Sequence, residues 1–247
     1  MQISFQTDVG KKRNSNQDYV AVFKNQADIT LAILADGMGG HQAGDVASKM
    51  AVDGIGDKWQ ETAIDSPEKA CSWFVTAIQA ANDAVYELGQ EKPELQGMGT
   101  TIVCVAVFAE EFALAHVGDS RMYLVRDHEI TQLTEDHSLV NELVRSGEIT
   151  AEMAAVHQRR NVLTRSVGMP GLVEVDIASH FYKVGDYLLL ASDGLTNMLS
   201  DDVIKWIVDE PISLDEKVKK LISGANDAGG ADNITVLLIE IGGTAHD

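Results

Sequence analysis

Apolar positions in this chain fall into two kinds of run. Short, almost unbroken runs rich in β-branched and aromatic residues cover Gln2 to Thr7, Tyr19 to Phe23 and Thr30 to Ala35, and they predict strands. Gly44 to Glu61 and Pro67 to Leu88 instead carry apolar residues three and four apart. That spacing predicts two helices, the second opened by Ser66-Pro67 as cap and first-turn proline. Strand-like runs resume at Thr100 to Phe108, Phe112 to Val117 and Met122 to Arg126. The first two are joined by Ala109-Glu110-Glu111, a connection short enough to favour an antiparallel hairpin. Leu139 to Arg165 is short-period and charged, with Ser146 to Thr150 between two short helical stretches, and reads as an excursion from the sheet. Strands follow at Val173 to His180 and Asp186 to Ala191, helices at Ser200 to Asp209 and Ser213 to Asn226, and a last strand at Asn233 to Ile239. Strand runs separated by helix pairs, without regular βαβ alternation, predict an α+β layered fold with antiparallel sheets.

Length and composition narrow this to one domain, residues 1–247, because 247 residues at 45% hydrophobic content suffice for a single large core. A balance of 19 basic against 38 acidic residues, net −19, argues against nucleic acid and anionic membrane surfaces as partners. No apolar run reaches the length of a membrane span, and Met1 to Asp8 lacks the charge and apolar core of a signal peptide. Cys71 and Cys104 have neither metal-site nor redox-motif spacing, so both are expected to be reduced, in a cytoplasmic protein. Trp59, Trp73 and Trp206 lie in helical stretches and are expected to pack in the core.

The candidate chemistry is carboxylate chemistry. Asp36-Gly37 and Asp193-Gly194 each follow an apolar run, Asp119 follows Phe112 to Gly118, and Asp232 precedes Ile234 to Ile239, with Asp18 as a fifth acid. A lone Asp-Gly is usually a turn, but acids repeated at strand ends suggest a site for a hard cation. Carboxylates with water suit Mg²⁺ or Mn²⁺, whereas zinc and copper favour His and Cys. Two such ions, roughly 3.5–4 Å apart, would polarise a phosphoryl oxygen and activate a water. Gly37-Met38-Gly39-Gly40-His41 fails both common phosphate-loop templates: it has no GxxxxGK[ST], and Gln42 stands where GxGxxG needs glycine.

Six segments occur in the order seen in metal-dependent serine/threonine phosphatases of the 2C type: Arg13 to Asp18, Ala35 to His41, Met98 to Thr101, Val117 to Arg121, Ser192-Asp193-Gly194 and Asp232-Asn233. The chain resembles that family from Thr7 to about Ile239, and most resembles its compact, stand-alone bacterial members. The resemblance implies a β-sandwich of two antiparallel sheets flanked by helix pairs, with a metal centre at one end and a mobile flap at about 139–165. It implies that Asp36, Asp193 and Asp232 hold one metal and that Asp18, Asp36 and the carbonyl of Gly37 hold a second. Asp119 and Asp193 would support a third, weaker one. Phosphorylated proteins would be the substrates, and a membrane-anchored serine/threonine kinase the opposing partner, with a monomer expected.

Arg13 offers a planar fork of donors suited to phosphate, and His41 can hold a proton near neutral pH for the leaving alkoxide. Arg121 is expected to anchor the Asp119 loop. Arg159, Arg160 and Arg165 are read as either phosphopeptide attractors or a solvated flap face, and His137 and His157 as structural or solvent-facing. Two alternatives stay open: an inactive relative serving as a scaffold, and a two-metal hydrolase of small phosphoesters.

Overall fold

The computed structural model describes residues 1–40 and 43–242. Among the described residues, eleven strands form two antiparallel sheets. One runs β1 (Gln2–Asp8), β11 (Ile234–Glu240), β10 (Tyr187–Ala191), β7 (Arg121–Arg126) and β8 (Glu129–Gln132). The other runs β2 (Asp18–Lys24), β3 (Thr30–Met38), β5 (Ile102–Val107), β6 (Glu111–Val117) and β9 (Asp176–Phe181), with β4 (Gly99–Thr100) paired to the end of β3. Helices α1 (Ala43–Gln60) and α2 (Pro67–Glu91) cover the second sheet. Helices α5 (Asp193–Thr196), α6 (Asp201–Asp209) and α7 (Leu214–Asp227) cover the first.

Side-chain parity builds the four layers. Along β3, Leu31, Ile33 and Ala35 pack with the residues of α1 and α2, while Ala32 and Leu34 point into the space between the sheets. On β11, Val236 and Leu238 meet α6 and α7, and Leu237 and Ile239 face the other sheet. Both faces of these strands are covered, which is why they read as unbroken apolar runs rather than as alternation. The expected α-β-β-α sandwich is the observed one.

The sequence-based strand over Thr100 to Phe108 is divided at Thr101. Its N–H donates to the Asp36 carbonyl at 2.9 Å, and its hydroxyl accepts from the Asp36 N–H at 2.9 Å. Asp36 and Gly37 lie within β3 rather than at its end, because β4 prolongs the pairing through Gly37 and Met38. The strand expected from Val173 begins at Asp176. Trp206 departs from expectation more sharply: it is 63% exposed, whereas Trp59 is fully buried and packs edge-on to Trp73. The excursion contains α3 (Leu139–Arg145) and α4 (Ala151–Ala155), capped by Ser138 and Thr150. Neither helix buries a residue, and the segment returns through a Ser138–Leu163 bridge.

Candidate metal and phosphate site

Five acids from distant parts of the sequence meet at one end of the sandwich. Asp18 and Asp36 are direct cross-strand partners on β2 and β3. Asp119 leaves β6, Asp193 opens α5 after β10, and Asp232 precedes β11. Close backbone packing brings the strands' ends into register with α1: a Cβ at Gly37 would lie 2.0 Å from the Gly44 carbonyl oxygen and 2.5 Å from that of Gln17. Arg13, Asp36, Gly37, Asp119, Asp193 and Asp232 line a cleft of about 430 Å³, which Asn161, Leu163 and Thr164 of the flap also border.

Asp18 is buried and is not among the residues lining this cleft. Its Oδ2 accepts from the hydroxyls of Thr235 at 2.7 Å and Ser192 at 2.8 Å, and its Oδ1 has no partner. Asp193 is held through Oδ2 by Asn197 at 3.0 Å, and its Oδ1 is likewise unpartnered. Asp232 accepts from Arg13 Nη2 at 2.7 Å and from the Asn233 N–H at 2.8 Å. Asn233 in turn binds the Gln17 N–H and the carbonyls of Val9 and Ser15, fixing the segment that carries Arg13.

The electrostatics follow from crowding like charges away from water. Loss of hydration raises the Asp18 carboxyl to about 7 against its two hydroxyl donors, with Asp193 and Asp232 adding repulsion. Asp119 is pushed up to about 7 by desolvation and Asp193, and Asp193 to about 6 by desolvation and Asp232. Asp36 is raised well above the usual carboxylate range by desolvation, then by Asp18 and Asp193. Arg13, paired with Asp232, is raised in turn. A cluster in which carboxylates suppress one another's ionisation and two buried carboxylate oxygens lack donors fits a cation, and an all-oxygen donor set fits Mg²⁺ or Mn²⁺.

The other candidates separate. His41 lies outside the described residues. Arg121, two residues after Asp119, forks onto Asp136 at 2.8 and 2.7 Å and so ties the start of β7 to the segment ahead of α3. Arg165 is engaged by Glu174 and Asp176, which removes it from the flap's free cations, while Arg159 and Arg160 are exposed. Of the supporting residues, Thr235 lay outside every motif, and Ser192, although inside one, carried no sign of its hydroxyl's direction.

The protein phosphatase 2C family profile matches residues 9–234. The chain is 46% identical to the protein phosphatase PhpP of Streptococcus pneumoniae over 241 residues, 98% of each chain. The S. agalactiae serine/threonine phosphatase superposes with a TM-score of 0.95 at 47% identity, over 97% of this chain and 99% of that one. The catalytic domain of the phosphatase PstP, solved in complex with two manganese ions, gives 0.86 at 33% identity over 98% of each. The chain belongs to the protein phosphatase 2C family, as a metal-dependent protein serine/threonine phosphatase.

Proposed function

We propose that this chain hydrolyses phosphoserine and phosphothreonine in proteins at a binuclear Mn²⁺ or Mg²⁺ centre. Asp36, Asp193 and Asp232 would hold one ion, Asp18, Asp36 and the Gly37 carbonyl the second, and Asp119 with Asp193 a third, weaker one. The observation that carries this reading is the acid cluster itself, with unpartnered oxygens on Asp18 and Asp193 and carboxyls raised towards neutrality. When bound, such ions polarise a phosphoryl oxygen and make water a nucleophile at neutral pH.

The chain's own residues supply the rest. Ser192 and Thr235 fix one oxygen of Asp18 and leave the other for a ligand. Arg13 lines the cleft with its side chain half exposed, and its guanidinium would grip phosphate oxygens. His41 is the group proposed to protonate the departing alkoxide. The role proposed for the chain as one catalytic domain is to reverse a serine/threonine kinase, acting as a monomer in the cytoplasm. No described helix is long and apolar enough to cross a membrane.

Substrate class is tested by comparing turnover on phosphothreonine peptides, free phosphoserine and nucleotides. The proposal expects the peptides to be preferred, and equal or better turnover of the small phosphoesters would replace it with the small-molecule hydrolase. Arg13→Ala is expected to raise KM by about tenfold, the scale of one hydrogen bond to a charged group, with kcat changed by less than about threefold. An unchanged KM in steady-state assays would remove Arg13 from phosphate binding.

A further inference from the structure

His137 was expected to be merely structural or solvent-facing, yet its geometry reaches towards the acid cluster. The residue is 6% exposed and lies just before α3. It grips Gly118 twice: the Gly118 N–H donates to its ring Nδ1 at 3.1 Å, and its own N–H donates to the Gly118 carbonyl at 3.0 Å. Gly118 cannot readily be replaced, because its φ is +111° and a Cβ would stand 2.6 Å from the Thr101 methyl. The next residue is Asp119. On its far side, the Ser120 and Thr101 hydroxyls are 2.7 Å apart, and Thr101 is the residue that also brackets Asp36.

The ring's protonation follows from this contact. Because Nδ1 accepts from an amide, the neutral ring carries its proton on Nε2, which donates to Asp176 Oδ2 at 3.3 Å. Arg165 Nη1 lies 3.3 Å from the same nitrogen. Both groups are donors, and what they share is the Asp176 carboxylate, whose Oδ1 accepts from Nη1 at 2.8 Å. His116 stacks on the ring with centroids 4.7 Å apart. His116, His137 and Asp176 sit close enough together to suggest a metal site of their own, but His137 has a committed Nδ1 and a protonated Nε2, and a guanidinium occupies the approach. The cluster therefore works by hydrogen bonding.

We infer that His137 is a positioning residue whose two-bond clip on Gly118 sets the Asp119 carboxylate against Asp193. The inference rests on the proposal that Asp119 and Asp193 hold the weakest metal. The backbone also ties His137 to the flap's return, since the Thr164 N–H donates to the His137 carbonyl at 2.9 Å.

The test is a Mn²⁺ titration of the intact chain, with free Mn²⁺ read by electron paramagnetic resonance, on wild type, Asp119→Asn, His137→Gln, His137→Asn and Asp176→Ala. Asparagine places an acceptor oxygen where Nδ1 stood and keeps the clip. Glutamine keeps a donor near Nε2 but leaves the buried Gly118 N–H without an acceptor. Asp119→Asn is expected to lose the weakest class of bound Mn²⁺. His137→Gln is expected to raise the Kd of that class by about tenfold, while His137→Asn stays within about threefold of wild type. Asp176→Ala, at a half-exposed position, frees the ring's other edge and is expected to shift the same class by about threefold, so the test survives a poorly folding His137→Gln. Loss of the class in Asp119→Asn, with wild-type affinity in the soluble His137→Gln and Asp176→Ala proteins, overturns the clip alone. Equal weakening by Gln and Asn overturns it too, since the acceptor would then not matter. Full Mn²⁺ stoichiometry in Asp119→Asn removes the metal assignment of Asp119 and the inference with it.

Discussion

Asp36→Ala is expected to lower kcat on a phosphothreonine peptide by at least about 10³-fold, the equivalent of about 4 kcal/mol of transition-state stabilisation. Asp36 is the proposed bridge between both metals, opposite Asp18 across two strands, and it feels the charges of Asp18, Asp193, Asp119 and Asp232. The same change should leave the metal-free protein folded, and slightly more stable, because it removes a desolvated carboxyl whose ionisation the neighbouring acids oppose. Circular dichroism and thermal unfolding would establish this, and they separate lost chemistry from lost fold. Wild-type turnover by Asp36→Ala at saturating Mn²⁺ would remove the residue from the metal centre.

The second large effect is on stability. In metal-free protein the unfolding temperature is expected to fall as pH rises across the window set by the raised carboxyls. Asp18 and Asp119, pushed up to about 7, and Asp193, to about 6, bind protons more tightly folded than unfolded. Between the ordinary carboxylate range and pH about 7 the folded state therefore holds more protons, so stability declines with pH. That contribution is fully present below the unfolded pKa of about 3.9 and is lost as pH passes about 7. A divalent cation favours the ionised acids and should reverse the slope. At Mn²⁺ about 100-fold over its Kd the gain is about 2.7 kcal/mol, or roughly 5–11 °C for a chain of this size. Differential scanning calorimetry at several pH values, with Mn²⁺ and with chelator, checks both signs. An unfolding temperature indifferent to Mn²⁺ at pH 8 would mean that these acids do not form a cation site.

Much of the layered fold was legible because burial on both faces turns strands such as Thr30 to Ala35 and Asp186 to Ala191 into continuous apolar runs. The acids were legible because each stands inside, just before or just after such a run. Glu129–Gln132 escaped because it is a four-residue edge strand with half-exposed side chains. Trp206 misled because helical spacing locates a helix but does not say which of its faces meets the core, and this ring lies largely on the solvent side. The supporting hydrogen bonds were beyond reach for a different reason. Thr235 meets Asp18 across 217 positions and His137 meets Gly118 across 19, and neither separation has a period or a local motif. Long-range pairings of this kind appear only once strand order and register are known.

The most direct test of the central claim is phosphate release from a phosphothreonine peptide by the purified chain, with added Mn²⁺ and with excess EDTA. The acid cluster predicts release that requires Mn²⁺ and stops on chelation. Undiminished release in EDTA would contradict the metal centre. No release at any Mn²⁺ concentration, from a chain that binds the ion, would contradict the catalytic role and leave a scaffold.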